Sequence, residues 1–203
     1  MLHSKDVPIY ESALLVIDAQ DSFKATDRWH KRDNKEFERN VARLVKLYRE
    51  HGLPVIYFLH SDEDPGFETS SPHYKLMDFL SPRESEPVLH KVTRNVFTST
   101  GLPALLMEKR VRRVLITGIQ MEQCCETSAR VGADLGYAVD FITEATMTFP
   151  IPNHDRPGEE LAVDAIRERT EYALRRRFAR IATVVEVAQE LGEVLPSAAA
   201  ARI

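Results

Sequence analysis

Six short runs of branched and apolar residues, at 13–18, 54–60, 88–91, 113–118, 138–143 and 181–184, recur along the chain with helix-patterned segments between them. Strands joined by crossovers of that length pair in parallel, so the alternation points to βαβ units and an α/β fold built on a parallel sheet. Leu14-Leu15-Val16-Ile17 is apolar at every position, which suits a central strand covered on both faces. The intervening patterns agree. Over 35–51, Phe37, Val41, Leu44, Val45 and Tyr48 fall at helical spacing before Gly52-Leu53-Pro54 stops the helix. Gly136 is expected to end a helix begun near Glu122. A further helix is expected over 159–178, with Leu161, Ala165 and Ile166 on one face and Arg175, Arg176 and Arg177 near its C-terminal end.

At 203 residues the chain fits one domain, expected over 1–195, and it can bury about 70% of its unfolded surface without staples. Residues 196–203 read as an Ala-rich tail that frays. A composition of 43% apolar and 29% charged residues excludes disordered and collagenous classes. A net charge of −4 offers no attraction to nucleic acid or to a membrane surface, so neither is an expected partner. The two cysteines, Cys124 and Cys125, are adjacent, which excludes a disulfide framework and favours a cytoplasmic location. The charged start, Met1 to Pro8, lacks the apolar stretch of a signal peptide, so the mature chain is expected to begin near Met1. The basic cluster from Lys109 to Arg113 reads as a helix end and a strand start on a solvated surface. Two connections, 22–34 and the proline-rich 61–87, exceed what a minimal βαβ repeat needs, and long irregular connections in such domains are usually functional.

In a doubly wound sheet ligands bind outside the carboxyl ends of the strands, so the residues closing each strand matter most. The first run ends in Asp18, a carboxylate directly after three large apolar residues; the third ends in Lys91; the fourth leads through a short loop to Cys124 at the start of a helix. Free N–H groups and the helix dipole there are expected to lower the thiol pKa, so that alkylation proceeds well below pH 8.5. Base, cation and thiol thus close strands on one edge. A dinucleotide-binding protein would need a glycine-rich turn after the first strand, and Asp18 to Phe23 contains no glycine. A redox pair would need Cys-x-x-Cys rather than neighbouring cysteines. A member of the fold that binds a small molecule without turnover remains an alternative.

Residues 13–23 (ALLVIDAQDSF), 91–97 (KVTRNVF) and 118–130 (GIQMEQCCETSAR) resemble, in order and spacing, the three signature segments of the isochorismatase-like cysteine hydrolases. The resemblance runs from about Ser12 to Leu191. It implies a single Rossmann-like three-layer domain with a six-stranded parallel sheet, a catalytic triad of Asp18, Lys91 and Cys124, an oxyanion hole from the backbone N–H groups of Gln120 and Cys124, and a cis peptide at Ile119–Gln120. Cys125 stands where the family commonly has an apolar packing residue. The family's loop usually has Thr where Met121 stands, which bears on substrate class. Isochorismatases proper cleave a vinyl ether without a cysteine nucleophile, so Cys124 favours the branches that hydrolyse C–N bonds of small amide, ureido or carbamoyl compounds. Vinyl-ether or ester hydrolysis is the alternative. Nicotinamidases carry a metal site at the second strand's end, but Phe58 stands where their Asp would, and His60 with distant His73 falls short of three ligands, so no metal or other cofactor is expected. Gln20, Trp29, His30, His60, Met121 and Phe149 are the candidates to line a substrate pocket. Family habit implies a homo-oligomer, dimer or tetramer.

Overall fold

The computed structural model describes residues 6–193; the tail expected at 196–203 lies outside the described residues. The main sheet comprises β1 (Ser12–Ile17), β2 (Val55–His60), β3 (Val88–Lys91), β4 (Arg113–Ile119), β5 (Ala138–Met147) and, after a small antiparallel ladder of β6 (Ile151–Pro152) and β7 (Glu160–Leu161), β8 (Arg180–Ile181). The six main strands are all parallel in the order β3-β2-β1-β4-β5-β8. The order reverses between β1 and β4, where a doubly wound sheet opens a crevice at its carboxyl edge.

Every residue of β1 is buried, because side chains on both of its faces enter a core. Leu14 and Val16 pack with α1 (Phe37–Glu50) and α5 (Val184–Glu190), while Ala13, Leu15 and Ile17 pack with α2 (Leu102–Glu108) and α3 (Glu126–Asp134). Burying each Leu, Val or Ile contributes about 1.5–3 kcal/mol, so the end of β1 is held firmly in place. Helix α4 (Val163–Leu174) completes the second layer through Leu174.

Three expectations need correction. The helix expected from 159 begins at Val163, and Leu161 is half exposed in β7 rather than facing the core. Asn153 Oδ1 accepts the backbone N–H groups of Asp155 and Arg156, and Gly158 adopts φ 92°, so local turn chemistry folds 151–161 into a hairpin before the helix can start. The sixth strand stops at Ile181 rather than 184, because Thr183 and Glu186 form a capping box that starts α5. Arg113, expected on a solvated surface, is buried against Asp140 of the neighbouring strand. The glycine stop at Gly136 holds, with φ 92° after α3.

The irregular connections lie over the carboxyl edge. Residues 21–31 form two 3-10 turns, Asp21–Ala25 and Asp27–Lys31. The 61–87 segment crosses the end of β1, where Asp21 N–H donates to Lys75 O (2.9 Å) and Met77 N–H to Ala19 O (2.9 Å). Among the described residues, no helix is long and apolar enough to cross a membrane.

Candidate active site

The backbone at the switch point is shaped by close contact between two strands. At Gly118, with φ 123°, a Cβ would lie 1.8 Å from Ile17 O, so only glycine lets β4 approach β1 there. Directly after Ile17 the chain turns into the left-handed region, with φ 50° at Asp18, whose N–H donates to Phe58 O (3.1 Å). Aspartate tolerates this conformation better than most residues. β4 ends in the cis peptide Ile119–Gln120, and a π-helical turn, Met121–Cys125, then leads into α3. The Gln120 carbonyl accepts the N–H groups of Gln123 (3.2 Å) and Cys125 (3.1 Å), and the Ser128 hydroxyl donates to Cys124 O (2.6 Å).

Lys91 reaches into this crevice from the end of β3. Its Nζ lies 2.8 Å from Asp18 Oδ2 and 3.4 Å from Cys124 Sγ, and it donates also to the carbonyls of Thr93 (3.1 Å) and Arg94 (3.3 Å). Asp18 and Lys91 are essentially sealed from solvent, and Cys124 is 5% exposed. Burial raises the Asp18 pKa above its usual 3.8, although Lys91 opposes the shift. For Lys91, burial pulls downward, but Asp18 and Cys124 outweigh it and hold the ammonium above its ordinary value. Burial and the Asp18 carboxylate push the Cys124 thiol up to about 12 despite Lys91. The expectation of a low-pKa thiolate is therefore corrected. The sulfur is too deeply desolvated, and too close to a carboxylate, for the helix terminus and one ammonium to ionise it. Cys125 is fully buried in the apolar layer beside Met121, in keeping with packing.

The other sequence candidates divide. His60, at the end of β2, is 3% exposed and interacts electrostatically with Asp18 and Lys91. Burial, reinforced by Lys91, lowers its pKa and keeps the ring neutral at pH 7. Gln20 is fully buried and acts as a clamp, accepting His60 N–H (2.8 Å) and donating to His60 O (3.0 Å) and Ser22 Oγ (2.8 Å). Met121 sits in the core with Ile17 and Phe58. Phe149 is buried and stacked on Phe23 (centroids 5.7 Å apart), with half-buried Trp29 6.5 Å away, and His30 is exposed. Two residues that the sequence did not single out join His60: Arg94 Nη1 contacts His60 Nε2, and Asp62 Oδ2 lies 3.1 Å from both. Phe58 packs in the core and His73 is exposed; among the described residues, no group of three His, Cys, Asp or Glu side chains is placed to hold a metal ion.

Comparison with known proteins identifies the family. The chain is 26% identical over 166 residues to nicotinamidase 3 of Arabidopsis thaliana, covering 74% of this chain and 80% of that protein. It is 24% identical over 174 residues to the ureidoacrylate amidohydrolase RutB of Klebsiella pneumoniae, covering 67% and 73%. The crystal structure of an isochorismatase-family protein from Chromobacterium violaceum superposes with a TM-score of 0.82 at 24% identity, covering 96% of this chain and 98% of that one. The isochorismatase domain matches residues 12–189, and the chain therefore belongs to the isochorismatase family and is a hydrolase.

Proposed function

We propose that this hydrolase cleaves the C–N bond of a small amide, ureido or carbamoyl compound through a thioester on Cys124, with Asp18 as base and Lys91 bridging the two. The observation that carries this reading is the Lys91 ammonium, 2.8 Å from the Asp18 carboxylate and 3.4 Å from the Cys124 sulfur in a closed crevice. Similarity to an amidohydrolase and a nicotinamidase supports the bond type.

The resting protonation state suits the chemistry. The thiol keeps its proton until a substrate carbonyl arrives, and Asp18, whose pKa burial has raised, is a stronger base than a surface carboxylate. Asp18 takes the proton as sulfur attacks the carbonyl carbon. The backbone N–H groups of Gln120 and Cys124 receive the oxyanion, an interaction commonly worth about 10²–10³ in rate. Asp18 then protonates the leaving nitrogen, the C–N bond breaks, and water later cleaves the thioester.

Incubation of the protein with a panel of small amides, ureido acids and carbamoyl compounds is expected to give, by intact mass, an acyl adduct that maps to Cys124. Turnover of a panel member with no adduct under rapid quench, and unchanged in Cys124→Ala, would overturn the reading. The pH profile provides a second check. Activity requires ionised Asp18, so kcat/KM rises with pH through a midpoint above the ordinary carboxylate value of 3.8 and then stays level. No step is expected at the ordinary thiol value of 9.0, because Cys124 titrates well above it. An alkaline limb near 9 would show a thiol less shielded than its burial requires.

A further inference from the structure

Among the buried polar atoms at the site that lack a hydrogen-bond partner are Asp18 Oδ1 and His60 Nδ1, whereas Asp18 Oδ2 is held by its ion pair with Lys91, 2.8 Å away. The Asp18 and His60 side chains are 1% and 3% exposed, and the two groups interact electrostatically across the crevice. An orphaned buried polar atom costs about 1–3 kcal/mol, so a pair on one crevice marks a place where a small polar molecule belongs.

The neighbours of His60 decide what its free nitrogen can do. Nε2 has two neighbours, Arg94 Nη1 and, further off, Asp62 Oδ2 at 3.1 Å; the guanidinium can only donate and Asp62 already accepts from it, so Nε2 offers its lone pair to the nearer Arg94. The ring is neutral at pH 7, hence its single proton is on Nδ1. Asp62, 3.1 Å from Arg94 Nη1, anchors the guanidinium that fixes this tautomer. Gln20 grips the His60 backbone on both sides, so the ring cannot turn away by a shift of the main chain. The crevice therefore holds a fixed donor, Nδ1–H, and an acceptor, Asp18 Oδ1. Besides Lys91, the Asp18 carboxylate interacts with the Cys124 thiol, and acylation of that sulfur removes its proton and frees the carboxylate for another partner.

We propose that His60 holds the hydrolytic water of the second half-reaction, donating from Nδ1–H to the water oxygen while the water donates to Asp18 Oδ1. This rests on the thioester route above. In the step, the water oxygen bonds to the thioester carbonyl carbon as its proton passes to Asp18. The tetrahedral intermediate then expels sulfur by breaking the C–S bond, and the thiolate, beside the Lys91 ammonium, takes the proton back from Asp18. Water and thioester become acid and thiol with no other reactant.

The test separates the two half-reactions for any substrate that acylates the wild-type protein. In His60→Ala, the rate of acyl-adduct formation on Cys124 is expected to stay within a factor of about three. Steady-state kcat falls by about 10²-fold because the nucleophile is no longer placed, and the adduct accumulates. His60→Gln, which retains a side-chain N–H donor, is expected to recover at least tenfold of that loss. Hydroxylamine, which needs less activation than water, should restore turnover in His60→Ala and yield the hydroxamate. Equal losses in acylation and deacylation, or no adduct accumulation in a folded variant, would overturn the water-holding role and leave the thioester route standing. Absence of any adduct in the wild-type protein during turnover would overturn both, so the two failures are distinct.

Discussion

Asp18→Asn is expected to lower amide turnover by about 10³–10⁴-fold and at the same time make Cys124 react faster with iodoacetamide near neutral pH. The opposite signs follow from the electrostatics of the site. Burial is the largest influence holding the thiol near 12, followed by the negative charge of Asp18, while Lys91 pulls the other way. Removing the carboxylate deletes an upward influence and leaves Lys91 3.4 Å from the sulfur, so the thiolate fraction rises. A small alkylating agent needs only that thiolate. An amide needs more, because its leaving nitrogen must be protonated, and the group that would deliver the proton is gone. Stopped alkylation followed by mass analysis reports the first effect, and steady-state kinetics the second. If turnover and alkylation fell together, Asp18 would be supporting the thiolate rather than exchanging its proton.

Asp140→Ala is expected to destabilise the fold by about 3–5 kcal/mol while leaving kcat of the folded fraction unchanged. Asp140 is fully buried on β5 at the end of the sheet away from the crevice. It accepts from Arg113 Nε (2.8 Å) and Nη2 and from Arg180 Nε (2.9 Å), and Glu190 completes the network at 2.9 Å from Arg113 and 2.6 Å from Arg180. Arg113 is 1% exposed, so removal of Asp140 leaves a buried guanidinium with only the Val7 carbonyl (3.1 Å) and the rim carboxylate of Glu190 as partners. Against a total stability of about 5–15 kcal/mol, such a loss shifts the denaturant midpoint by a large fraction. A midpoint within about 1 kcal/mol of wild type would mean that water enters to solvate Arg113.

The strands and the three residues of the proposed triad were legible because each is a local signal: a run of branched apolar side chains, then a polar residue where the run stops. What escaped depends on neighbours distant in sequence. Arg94 lies in an irregular stretch after β3, and nothing in its surroundings announces a histidine 34 positions earlier. The depth at which Cys124 sits is likewise a property of the packed layers, so position at a helix start suggested a low pKa that burial reverses. Arg113 read as one charge among several in a basic cluster. A signal was available on the other side of the pair, since Asp140 interrupts the apolar run Ala138-Val139-Asp140-Phe141, and a carboxylate inside a covered strand demands a cation.

The position of β1 in the middle of the sheet sets how the molecule breathes. Its amides bond to β2 on one side and β4 on the other, and Asp18 N–H to Phe58 O extends that ladder to the site itself. Such amides exchange with solvent only when the whole domain opens, whereas the turns of 21–31 and the loop 61–87, tied down by fewer backbone bonds, exchange by local opening. Hydrogen exchange should thus find Asp18 at the end of the slowest unit and the surrounding walls on the fastest. A lineage could rewrite those walls for new substrates without loosening the frame that carries the chemistry.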